Sequence, residues 1–131
     1  VVWYEPGAGA GGADYGCMDA VCYHFGGPLH DADIEDVGGH ACVVCPWHRY
    51  PISLRTGESL LRARGGLPCQ SKGVKQRVHD VRVDGDDVLV RLRVGGDDVA
   101  SDHYAVMGLY NRLCSSGGEG PPKFYPNVLK G

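Results

Sequence analysis

"CVVCPWHRYP", residues Cys42–Pro51, sets two cysteines, a tryptophan and a histidine in a stretch that otherwise reads as the end of a buried strand. Two readings compete for it. In one, Cys42 and Cys45 form a CxxC redox or zinc motif; in the other, Cys45 and His48 are half of a four-ligand set whose other half lies elsewhere. That half is found upstream in "CYHFGGPLH", residues 22–30, where Cys22 and His24 are separated by one residue. The whole pattern is C-x-H, twenty intervening residues, then C-x-x-H. A zinc finger normally opens with ligands two to four residues apart, whereas a C-x-H pair with a C-x-x-H pair matches a 2Fe–2S centre of mixed ligands. In that arrangement Cys22 and Cys45 hold one iron, and His24 and His48 hold the other. Gly26 and Gly27 leave room for backbone N–H groups to approach the cluster sulfurs, and Pro28 and Pro46 stiffen the two loops.

Composition narrows the rest. A chain of 131 residues suits one domain and buries enough surface to stand without disulfides. The net charge of -3 and a scattered set of thirteen Lys and Arg residues give no basic footprint for nucleic acid. No apolar run approaches the roughly 18 residues of a transmembrane helix, and the opening residues lack the regions of a signal peptide. The sequence starts at Val1, inside an apparent strand, so upstream residues are expected to have been removed together with any targeting segment. The compartment stays open among cytosol, mitochondrion and plastid.

Short strands joined by turns are expected throughout, because Gly reaches 21 residues, Pro adds 8, and apolar residues alternate over short runs. "VVWYE" and "YGCMDAVC" read as a hairpin around the loop "PGAGAGGAD". "ACVVC" and "YPISL" read as strands flanking a loop, with "RTGES" as the next turn. Val81, Val83, Val88, Val90, Leu92 and Val94 alternate with charged residues around Asp84–Asp87, which predicts a hairpin with one buried face and one wet face.

The sequence resembles the Rieske iron–sulfur proteins, and most closely the small soluble Rieske-domain proteins, the Rieske-type ferredoxins. The resemblance runs through "CYHFGGPLHDADIEDVGGHACVVCPWHRYPISLRTGE", resumes in "CQSKGVKQRVHDVRV" and, more weakly, "SDHYA", and covers roughly 80 of the 131 residues. It implies an all-β Rieske fold of stacked antiparallel sheets, with one 2Fe–2S cluster held by Cys22, His24, Cys45 and His48 at a tip of two loops. The family usually carries further strands ahead of "VVWYE", so N-terminal strands are expected to be missing at one edge. The Rieske subunits of respiratory and photosynthetic complexes add a disulfide between the two loops and a serine and tyrosine that hydrogen-bond to the cluster. The disulfide positions here are Gly27 and Trp47, and the serine and tyrosine positions are Tyr50 and Ile52. Losing such donors destabilises the reduced state, so the potential should fall toward the low end of the Rieske range, about -150 mV.

The ligand set also implies a mechanism. Two ferric ions, two sulfides, two thiolates and two neutral imidazoles sum formally to zero, so an electron is accepted more easily than with four thiolates. It should settle on the histidine-bound iron and leave through His24 and His48, whose outer ring nitrogens lose protons in the oxidised state and lower the potential at high pH.

Other features take plainer readings. Cys42 is expected to be a small buried strand residue, Cys17, Cys69 and Cys114 show no ligand spacing, and His30 and His40 read as solvated. "HDADIED" reads as a solvated loop, with docking of a basic reductase as its functional alternative. Phe25 and Trp47 shield the cluster or meet a partner, and Arg49 and Tyr50 frame the second loop. Residues 1–100 are assigned to the Rieske domain, and 101–131, with the break "SSGGEGPP", to a C-terminal extension that is flexible or docks a partner.

The expected function is single-electron transfer between a reductase and an oxygenase or other redox acceptor, by an electron carrier rather than a stand-alone catalyst. An electron-transfer subunit of a larger redox or membrane-associated complex is the alternative. A zinc-binding interaction module is the third reading. A complete Rieske oxygenase is excluded on length.

Overall fold

The computed structural model describes residues 1–6 and 13–105. Two antiparallel sheets form the body, and the described residues contain one short α-helix. β1 (Val2–Pro6) and β2 (Ala13–Met18) are the expected first hairpin, in register from Val2↔Cys17 to Pro6↔Ala13. Residues 7–12 of its expanded tip lie outside the described residues. The second strand ends at Met18, short of the predicted Cys22, because residues 19–28 leave the sheet to build the loop that carries Cys22 and His24.

A 3-10 turn (Leu29–Asp31) then leads into the second sheet. β3 (Asp33–Val37), β4 (His40–Val44), β5 (Pro51–Ser53), β6 (Glu58–Leu61) and β7 (Gln70–Val74) lie in sequence order in this sheet. β8 (Val78–Asp84) and β9 (Asp87–Arg91) return to the first sheet, whose order is β1-β2-β8-β9. The second sheet is thus an insertion between β2 and β8, which meet through Cys17↔His79 and Met18↔Val78.

The predicted "HDADIED" loop is corrected in part: Asp33–Val37 is an edge strand, paired with β4 from Asp33↔Val44 to Val37↔His40. Its charges mark a solvated strand face. Charges on an edge also discourage pairing with a foreign strand. The β8–β9 hairpin forms around Asp84↔Asp87 as expected, but its apolar face is buried only in part, with Val81 and Val90 half-buried. Val83, Val88, Leu92 and Val94 are exposed, because β8 leaves its pairing with β2 after His79 and runs on paired with β9 alone.

Alternation along β4 divides the interior. Val43, with Cys45 just past the strand end, packs with Trp3, Met18, Cys22, Leu29, Ile52 and Leu54 in the main core. Cys42 points the other way, into a small cluster with Val37 and Leu60, against which Cys69 packs. Cys42 is fully buried, and burial, with the neighbouring Cys69 thiol, pushes its own thiol up to about 11. Side chains three apart along a strand face opposite sides, so Cys42 and Cys45 are not a CxxC motif, whatever their spacing suggests.

α1 (Ala100–Ala105) spans the boundary drawn between residues 100 and 101. Its described residues are tied to the body. Arg77 donates from Nε and Nη2 to the Asp102 carboxylate, at 2.6 and 2.5 Å, and Ser101 Oγ donates to Asp19 Oδ2 at 2.9 Å. Residues 106–131, including Cys114, lie outside the described residues.

Candidate metal centre

Two loops of different sequence converge at one end of the inserted sheet. The first, residues 19–28, folds back on itself. Cys22 N–H donates to the Gly27 carbonyl (2.8 Å), Gly26 N–H to the Cys22 carbonyl (2.9 Å), and Val21 bridges to Pro28. The second, residues 45–50, is a tight turn closed by Arg49 N–H to the Cys45 carbonyl (2.9 Å) and Cys45 N–H to the Tyr50 carbonyl (3.0 Å).

Arg49 takes a left-handed φ of 59° there, a conformation that costs a residue with a Cβ roughly 1–2 kcal/mol. Its guanidinium holds the turn in place through Glu35 at 2.5 Å and Asp33 at 3.7 Å, and Arg62 takes the other Glu35 oxygen at 2.8 Å. Arg62, before Arg49, is what holds the Glu35 carboxyl below its ordinary range. The acidic edge strand therefore frames the second loop. Arg49 does so too, as expected, and the strand's central carboxylate is already paired.

The four residues singled out by spacing meet here. Cys22 and Cys45 are buried at 0% and 2% exposure, and their thiols are hydrogen-bonding neighbours. Desolvation is the main force that pushes the Cys22 thiol up to about 12, and the Cys45 thiol adds to it. The backbone N–H groups of His24 and Phe25 pull the other way by donating to the Cys22 sulfur. Gly26 has its N–H on the Cys22 carbonyl instead.

His24 and His48 stand edge to face, with ring centroids 4.9 Å apart. His24 is half-buried and His48 exposed, so the imidazoles lie toward solvent and the thiols toward the core. Phe25 and Trp47, 63% and 48% exposed, flank them. The Tyr50 ring packs against His24 at a tilt of 41°, centroids 4.3 Å apart, and the Lys72 ammonium lies 4.9 Å from the Tyr50 ring centroid.

The residues present fit a cluster with split ligation. Two soft thiolates and two imidazoles are the right donors for it. His24 Nδ1, like Trp3 Nε1 in the core, is buried with no hydrogen-bond partner among the described residues; at His24 this leaves a ring nitrogen free to serve as a donor to a metal. Gly27 lies so close that a Cβ there would come 2.7 Å from Cys45 Sγ and 3.3 Å from Trp47 Cγ. Gly27 and Trp47, the two positions matched above to a disulfide, are indeed face to face. Among the described residues no group of three or more His, Cys, Asp or Glu side chains is placed to hold a metal ion.

Several supporting residues escaped the sequence reading. Tyr23 Oη is 2.5 Å from Ser59 Oγ, Tyr104 Oη donates to the His24 carbonyl at 3.2 Å, and the buried Gln76 side chain bonds the backbone of residues 19–23. Their partners are 36 to 80 residues away, and no local pattern announces them. A cleft of about 390 Å³ lies elsewhere, where Met18, Leu92 and Val94 surround Asp19, Arg77, His79 and Asp102. Arg77 pairs there with Asp102, and His79 Nε2 with Asp19 Oδ1 at 3.0 Å.

Comparison with known proteins places the chain in a family. A family described as soluble Rieske-type ferredoxin matches residues 9–94. A protein of Homo sapiens described as "Rieske domain-containing protein" is 43% identical over 111 residues, covering 80% of this chain and 67% of its own length. Among the described residues no helix is long and apolar enough to cross a membrane.

Proposed function

Since the chain belongs to the soluble Rieske-type ferredoxin family, which implies a 2Fe–2S cluster, we propose that it carries single electrons between a reductase and an oxygenase or other redox acceptor. Cys22, His24, Cys45 and His48 are the ligands in this reading. The observation that carries it is their polarity: two thiols sealed in the core and two imidazoles turned to the surface within 4.9 Å of each other. When bound, the cluster supplies one-electron redox chemistry at this end of the molecule.

The chain's own residues do the rest. Leu29, Ile52 and Leu54 seal the cysteine side from water, which protects sulfur from hydrolysis and oxidation. Backbone N–H groups of His24 and Phe25 offer hydrogen bonds to the Cys22 sulfur and so favour its anionic form. His24 and His48 offer the short exit to a partner, and exposed Phe25 and Trp47 give that partner an apolar rim to meet. Tyr104 and Tyr50 hold the His24 segment from two sides.

Electron paramagnetic resonance on protein purified without oxygen, before and after dithionite, tests the reading, with iron, sulfide and zinc measured on the same sample. A silent oxidised sample and a rhombic reduced signal, with average g below that of all-cysteine ferredoxins, is the expected result. A colourless protein that holds zinc and gives no signal overturns it.

A further inference from the structure

We infer that Gln76 is the positioning residue of the first ligand loop: its carboxamide stands in for a missing strand and fixes the backbone that carries Cys22 and His24. The inference rests on the reading of those two residues as cluster ligands.

Gln76 is completely buried, at the junction between β7 and β8. Its side chain spends its hydrogen-bonding capacity on one stretch of backbone. Oε1 accepts from Tyr23 N–H at 3.0 Å, and Nε2 donates one hydrogen to the Asp19 carbonyl at 3.0 Å and the other to the Val21 carbonyl at 2.9 Å. Both amide hydrogens are thereby used.

The pattern is that of a β-ladder. Residues 19, 21 and 23 turn to Gln76, while residues 20 and 22 turn to the returning loop, with Leu29 N–H on the Ala20 carbonyl (2.9 Å) and Cys22 N–H on the Gly27 carbonyl (2.8 Å). A strand bonds neighbours on both sides by such alternation. Here the neighbour on one side is the Gln76 side chain, joined at the Asp19 end by the Arg77 carbonyl, which accepts Asp19 N–H at 3.0 Å. Without that side chain three backbone groups at the edge of the core lose their partners, which folded proteins rarely accept.

The junction that carries the side chain is itself held. Lys75 and Gln76 both donate their N–H groups to the Gly57 carbonyl at 3.0 Å, and Ser101 N–H donates to the Lys75 carbonyl at 3.0 Å. Gln76 also holds the Tyr23 N–H on its own Oε1, so this donor is not turned toward the neighbouring Cys22 sulfur.

Three readouts test this: amide hydrogen exchange of Tyr23 in the full chain, the half-life of the visible cluster absorption under a chelator, and the midpoint potential. In Gln76→Leu, which is of similar size and loses all three side-chain hydrogen bonds, Tyr23 exchange should accelerate at least about tenfold and the cluster half-life should shorten about 10–100-fold. The midpoint potential should move as well. Gln76→Glu keeps the acceptor for Tyr23 and should restore part of its protection; it also serves if Gln76→Leu does not accumulate folded. Val37→Ala, in the separate small core cluster, is the control for lost stability alone.

If the Gln76 variants follow Val37→Ala in all three readouts, the positioning role is overturned. A wild-type protein without the rhombic signal overturns the cluster reading instead, and Tyr23 exchange still reports on Gln76.

Discussion

Replacing Gly27 by alanine adds one methyl group at the most crowded point of the ligand loops. The new Cβ would lie 2.7 Å from Cys45 Sγ, where ordinary contact begins at 3.4 Å, and would also press on the Trp47 ring at 3.3 and 3.4 Å. Neither side yields easily. Cys45 has its N–H on Tyr50 and its carbonyl on Arg49, and Gly27 is held by Cys22 N–H at its carbonyl. Overpacking of this kind costs about 1–3 kcal/mol. Because the displaced atom is the sulfur of a proposed ligand, the loss should also appear in cluster retention.

Two assays separate these effects: urea unfolding of the cluster-free protein, and iron and sulfide per chain in the purified protein. Gly39→Ala is the matched control. Its φ of +84° also imposes a backbone penalty of about 1–2 kcal/mol, but nothing lies within 4 Å of its Cβ and it is remote from the ligands. Gly27→Ala should lose cluster, and Gly39→Ala should lose only stability. A Gly27→Ala protein with wild-type iron and sulfide, unfolding within about 0.5 kcal/mol of wild type, would refute the argument that close approach to Cys45 excludes a side chain there.

Further outcomes follow from the same contacts. Cys22→Ala should abolish iron binding and the reduced-state signal, whereas Cys42→Ala should keep both and cost roughly 1 kcal/mol in unfolding. Arg77→Ala removes both charge-assisted bonds to Asp102 and two to the carbonyls of Gly95 and Asp97, and should cost about 1–3 kcal/mol in urea unfolding at neutral pH. Arg77 holds the Asp102 carboxyl below its ordinary range, so this contribution is present above the unfolded carboxyl value of about 3.9 and fades as pH falls below it. The wild-type minus Arg77→Ala difference should therefore shrink on acidification. Asp80, held down to about 2 by Arg93 and then Arg91, behaves with the same sign: Asp80→Asn should flatten the stability curve between about pH 4 and pH 2. Solvent screening around those exposed guanidinium groups keeps that effect below about 1 kcal/mol, and high salt should reduce it further.

The hairpins of β1–β2, β4–β5 and β8–β9 were legible in the sequence because turn residues and two-residue alternation are local signals. The same alternation misled on burial. Val83, Val88 and Leu92 form an apolar face, but what covers a face is a matter of which elements reach it, and β2 reaches only His79. "HDADIED" was legible as solvated and not as a strand, since acidic residues carry little β-propensity and β3 owes its state to its five pairings with β4.

At the candidate centre, residue type and short spacing within each loop were enough to select Cys22, His24, Cys45 and His48, because donor chemistry is a property of side chains and does not wait for folding. The rest needed the tertiary structure. Which cysteine of 42 and 45 faces the loops, which residues are sealed and which face solvent, and which carboxylate is already consumed by Arg49 and Arg62 all depend on how the inserted sheet closes. The bonds from Gln76 to residues 19–23 span 53 to 57 positions, and no periodicity in a chain encodes a partner at that distance. Sequence by itself determined the chemistry this protein can hold; only the fold decided which residues hold the loops in place, because that rests on backbone groups whose partners are assigned in space and not along the chain.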